Sequence, residues 1–179
     1  MSTLRSALSI VVAALPLLAC GPGEKNEPPV KLDACALLSP QDVKDLAGWA
    51  VTGTLSSTLE DTVGRDPSRC AYSTGTNDAP AGLVLEVRQF PNVGAATRAF
   101  ASSRSGLSHL AGGELQDIGD VADEAVWVGD DIQQLHLRQG RFYLLITSQT
   151  GERQLLVARQ IADRALRRLP RPAPPAKRS

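Results

Sequence analysis

A catalyst needs a nucleophile, a base and a group that stabilises developing charge, and this 179-residue chain has few residues able to serve. It has only two histidines. His109 falls in a loop. His136 sits in a strand between Leu135 and Leu137, where alternation puts it on the polar face as an exposed pairing residue. Neither has an acid–base partner in the sequence. There is no Gly-x-Ser-x-Gly elbow, His-Glu-x-x-His pair, phosphate-cradling Gly loop or Ser-x-x-Lys. Asp117, Asp120, Asp123, Glu124, Asp130 and Asp131 form one carboxylate cluster. A calcium site needs roughly six to eight oxygen ligands around a defined loop, whereas aspartates spaced like these suit turns and strand ends. Trp49 and Trp127 are the candidate ligand-lining residues. Aromatics are only 4% of the chain, so the alternative is that both pack the core. The expectation is a non-enzyme with no catalytic residue, no metal and no cofactor.

The three cysteines carry more specific chemistry. Cys20 follows an apolar run, Ala7 to Leu18, that Arg5 opens. That run suits a secretion signal and falls short of the roughly 18 to 20 residues of a membrane-spanning helix. Leu17-Leu18-Ala19-Cys20 resembles the lipobox of bacterial lipoproteins. The resemblance implies a signal peptide over residues 1–19 and a diacylglyceryl group on Cys20 as the mature first residue. Two or more acyl chains, palmitate among them, suffice for stable anchoring. The alternatives are a soluble secreted protein cleaved nearby and an uncleaved anchor. With Cys20 lipidated, Cys35 and Cys70 remain as an even pair in an oxidising compartment. A disulfide between them closes a loop of about 36 residues, worth roughly 3 to 4 kcal/mol in the chain-entropy model. Two buried free thiols, or metal ligation without any His or Cys at ligand spacing, are the alternatives.

These residues must be positioned by one ordinary domain. Residues 20–31 read as a lipidated, flexible Pro/Gly-rich tether, 32–169 as the globular domain, and 170–179 as a disordered basic Pro-rich tail. The chain has 19 basic and 19 acidic residues, so no field of one sign argues for nucleic acid. Ser39 caps a first helix with Pro40 at its first position, and Gly48 supplies its stop. Strands follow over 49–59, 69–74 and 83–90, with a loop at 60–67, and Val51, Leu55 and Leu59 alternate loosely with Thr and Ser in the first strand. Asn92 caps a second helix through Ser103, and a loop spans 106–113. A short edge strand at 114–118 precedes strands over 125–128, 132–138 and 142–148, joined by hairpin turns. Thr150 caps a last helix over 152–169, which Pro170 ends. Strands in hairpin-spaced groups favour an α+β fold: an antiparallel β-sheet with about three helices packed on one face, in a single domain.

Three stretches then look familiar together: Asp33-Ala-Cys35-Ala-Leu-Leu-Ser-Pro-Gln-Asp-Val43, Arg69-Cys70-Ala-Tyr72, and Ile118-Gly-Asp-Val-Ala-Asp-Glu-Ala-Val-Trp127. This resembles small bacterial cell-envelope lipoproteins built on a domain of unknown function. They share a Cys-Ala-Leu-Leu segment, a second cysteine before an aromatic strand residue, and a Gly-Asp turn into a hairpin. Val121-Ala122 lengthens that turn here. The resemblance implies fold, disulfide and anchoring, and no activity. The expected function is a lipid-anchored, non-enzymatic envelope protein that binds an envelope component or a small amphipathic ligand. A protein–protein interaction module of an envelope complex and a hydrolase of diffuse site are the alternatives. Export to the periplasmic or cell-surface side is expected, on the outer membrane where two membranes exist, because Gly21 is not an inner-membrane-retaining Asp.

Overall fold

The computed structural model describes residues 25–58, 65–73, 82–110, 115–129, 133–148 and 154–170. Cys20, the expected signal segment and residues 171–179 lie outside them, as do Thr150, Asp130 and Asp131.

A short helix α1 (Ala34–Leu37) leads into α2 (Pro40–Ala47). Ser39 and Asp42 close a capping box at the start of α2: the Asp42 N–H donates to Ser39 Oγ, and Ser39 N–H donates to Asp42 Oδ2 at 2.8 Å. Gly48 ends the helix in the left-handed region at φ 72°, which a residue without Cβ adopts at no steric cost. Next come β1 (Gly53–Thr58), β2 (Arg65–Ser73), β3 (Gly82–Gln89) and α3 (Val93–Leu110). Then follow β4 (Leu115–Asp117), β5 (Glu124–Val128), β6 (Gln134–Gln139), β7 (Phe142–Ser148) and α4 (Gln154–Arg167). All seven strands form one antiparallel sheet in the order β1-β2-β3-β7-β6-β5-β4. The fold is therefore α+β and a single domain, with four helices among the described residues.

The helices do not share one face. Leu83, Leu85, Val87, Leu135, Leu137, Leu144 and Ile146 point to a core completed by α1, α2 and α4. The alternate residues Val126, Val128 and Tyr143 point the other way, onto Ala96, Phe100 and Leu107 of α3. The expectation of one covered face fails because β5 is apolar on both sides: Ala125 and Trp127 enter the first core, Val126 and Val128 the second.

Boundaries differ from expectation in three places. α3 runs on through Gly106 to Leu110, so residues 106–110, expected in a loop, are helical and His109 lies in the last turn. Burial of Leu107 against the second core outweighs the roughly 1 kcal/mol that a helical glycine costs. β2 begins at Arg65, inside the segment expected as a loop, and a bulge follows between Arg65 and Ser68. β1 begins at Gly53 rather than at residue 49, and its Leu55 is 68% exposed.

The N-terminal segment also departs from the expected tether. Residues 26–30 are fastened to the end of the sheet where β3 stops and β7 starts. Glu27 N–H donates to the Pro91 carbonyl at 2.7 Å, and Asn92 Nδ2 donates to Asn26 Oδ1 at 2.8 Å. Gln89 bonds Val30 in both directions, at 3.0 and 2.6 Å. Arg141 pairs with the Glu27 carboxylate at 3.3 Å and donates to its carbonyl at 3.2 Å.

Candidate functional site

Polar side chains on the α3 side of the sheet form a layer that one-sided alternation would place in water. His136 is buried there, 6% exposed, because α3 covers the face it points to. It is not the exposed pairing residue expected from the sequence. Gln134 Oε1 accepts from its Nε2 at 3.1 Å, which makes Nδ1 the acceptor for the Tyr143 hydroxyl at 2.6 Å. Ser103 of α3 hydrogen-bonds the same hydroxyl, and Gln134 Nε2 reaches Thr147 Oγ1 at 3.3 Å. Burial disfavours the imidazolium and holds the His136 pKa down at about 4, and it pushes the Tyr143 phenol up. The chain from Ser103 to Thr147 keeps each buried polar atom partnered and fastens α3 to β6 and β7.

Beside α3, the same face of β1, β2 and β3 is less covered. Strand register lines Leu55, Ala71, Val84 and Thr147 into one row, and Ser57, Arg69, Glu86 and Leu145 into the next. Leu55 is exposed, while Ala71, Val84 and Thr147 are half-buried. The strip thus sets apolar groups next to a guanidinium and a carboxylate, the Glu86 oxygen being held by Arg88 at 2.8 Å. On the far side of α3, Ala101, Arg104, Ser105, Ser108 and Leu115 line a shallow depression of about 420 Å³.

The residues singled out from sequence occupy separate places. Cys35 and Cys70 are bridged, with their Cα atoms 5.1 Å apart. The bridge ties α1 to β2, and Ala34 N–H donates to Ser68 Oγ at 2.9 Å one strand residue pair away. Trp127 is 8% exposed and belongs to the first core, and Trp49 packs partly buried against that core. Neither borders the strip or the depression. His109 is exposed in the last turn of α3, about 9 Å along the helix from Ser103 and outside the His136 network. The described acidic residues of the cluster are spread over arginines: Asp117 on Arg104, Asp120 on Arg159, and Asp123 with Glu124 on Arg138. Among the described residues no three His, Cys, Asp or Glu side chains gather as a metal site would require.

Sequence reasoning missed the carboxylate most strongly held. Asp42, 6% exposed in its side chain, takes Arg164 Nη1 and Arg168 Nη1, each at 2.6 Å, besides the Ser39 cap. The Arg168 guanidinium holds its pKa well below the usual carboxylate range against the opposing cost of burial. The capping position was legible, but the two arginines lie more than a hundred residues downstream.

No family model matches the chain, and no curated protein does. Among solved structures it is similar to the crystal structure of the extracellular domain of PknH from Mycobacterium tuberculosis, with 13% identity and a TM-score of 0.53. The match covers 79% of this chain and 99% of that one, and at this identity it shows a common fold.

Proposed function

We propose that the chain is a lipid-anchored, non-enzymatic envelope protein of the lipoprotein type its motifs resemble. Its domain binds a small amphipathic ligand or envelope component on the strip beside α3. The observation that carries this reading is the Cys35–Cys70 bridge: of three cysteines it leaves Cys20, at the lipobox-like position, as the one outside a disulfide. The solved relative in fold is itself described as an extracellular domain. The strip adds the recognition surface, because Leu55, Ala71 and Val84 offer apolar contact beside Arg69 and Glu86. No helix among the described residues is long and apolar enough to cross a membrane.

A second reading, a module that docks on another envelope protein, draws on β1. That edge strand, Gly-Thr-Leu-Ser-Ser-Thr, carries no charge and no proline to deter strand addition.

The test is mass spectrometry of the N-terminal peptide from the full chain produced in a bacterium. The expected product is a diacylglyceryl-modified Cys20, with Cys20→Ala moving the protein from the membrane to the soluble fraction. An unmodified Cys20 thiol on the exported chain would overturn the anchor.

A further inference from the structure

We propose that the end of the sheet where residues 26–30 dock is the face the domain turns to the bilayer, with lipid headgroups as its partner. This rests on acylation of Cys20. A tether running to residue 31 would let the domain tumble, but Asn26, Glu27 and Val30 are already bonded to Asn92, Pro91, Arg141 and Gln89. Only Gly21 to Lys25, five residues, separate Cys20 from Asn26. Fully stretched they span about 20 Å.

The docking point is unambiguous in the sheet. Gln89 pairs with Phe142 and with Arg65, so the stop of β3, the start of β7 and the start of β2 share one end. The Gly140–Arg141 turn and the start of α3 flank it. Gly82, Ser148 and Val128 mark the opposite end, roughly 20 Å away along the strands.

The rim suits a headgroup layer. Its buried cation, Arg141, is matched by Glu27, and Asp123 is covered by Arg138, Gln139 and the Gly140 N–H. Neither carboxylate is left free to repel anionic phosphates. Lys25, Pro28, Pro29 and Val93 stand exposed on the same side.

Full-length acylated chain, reconstituted in phosphatidylcholine vesicles containing a nickel-chelating headgroup lipid, tests the orientation. With Cys20 acylated and Cys35–Cys70 bridged, a cysteine introduced at an exposed site is the sole reactive thiol. Nitroxides are placed by Val93→Cys or His109→Cys, both exposed and about 24 Å apart along α3. Relaxation by the headgroup nickel is expected to be severalfold stronger at position 93 than at 109. A Gly/Ser insert of about twelve residues after Gly23, adding up to roughly 40 Å of reach, should remove that difference. Equal relaxation at the two sites, or a stronger effect at 109, in a chain whose Cys20 is acylated would overturn the orientation alone. A chain with unmodified Cys20 would overturn the anchor and the orientation together.

Discussion

The Tyr143 hydroxyl donates to Nδ1 of His136 at 2.6 Å beneath α3, so the imidazole is held neutral by a bond that an imidazolium could not accept. The folded-state pKa of His136 is about 4, against an ordinary value of 6.5. The unfolded chain therefore binds more protons between those values, and stability falls as pH drops through that window.

The loss expected from this one group between pH 7 and pH 4 is on the order of 3 kcal/mol. Urea denaturation at pH 7 and pH 4 measures it. His136→Gln should flatten the slope while lowering stability at pH 7, because Gln keeps a hydrogen-bonding group but does not titrate. An unchanged slope would remove His136 as the cause.

Asp42 acts in a lower window. Its folded pKa is depressed, chiefly by Arg168, so its contribution is complete above the unfolded value of 3.8 and is lost as pH falls below it. Asp42→Ala removes the capping box and leaves Arg164 and Arg168 without their carboxylate. The arginines are partly exposed and recover water, so the expected cost is about 2 to 3 kcal/mol, read as a lower urea midpoint with an unchanged m-value.

The disulfide joins residues 35 apart. Cys35→Ser with Cys70→Ser should cost about 3 kcal/mol, and reduction of the native chain about the same. Thermal unfolding with and without reductant gives both numbers. Equal melting temperatures would mean that the bridge constrains neither state.

Leu55 is 68% exposed, so Leu55→Asp should shift folding stability by no more than about 0.5 kcal/mol. Binding is another matter. A photoreactive residue at position 55 should cross-link to its ligand or partner in intact cells. The same residue at Leu156, 51% exposed on α4, should not. Equal yields at both positions would dissociate recognition from the strip beside α3.

Much of the frame is legible in local sequence. Ser39-Pro40 with Gly48 marks α2, Asn92 marks the start of α3 by accepting from Ala95 N–H at 2.8 Å, and Gln139-Gly140 marks the last hairpin. The cysteine pairing follows from parity once Cys20 is set apart. What was illegible depends on distant partners. A polar residue alternating in a strand looks the same whether it faces water or a polar helix surface, so His136 gave no sign of its burial. The signal that could have revealed α3 on the second face was Ala125 to Val128, apolar at every position. Residues 26–30 read as a tether because their partners lie 59 to 114 positions away, at Gln89 and Arg141. Trp49 and Trp127 attract attention by scarcity, but scarcity does not distinguish a pocket wall from a core.

The pairing at the centre of the sheet has a consequence for biogenesis. β3 is zipped to β7, with Leu83 opposite Ser148, so the seam cannot close until nearly the whole polypeptide has been made. A shorter nascent chain can build the β1–β2–β3 meander but leaves β3 with one bare edge. Closure of the sheet is thus held back during synthesis until β7, the last strand, can reach β3.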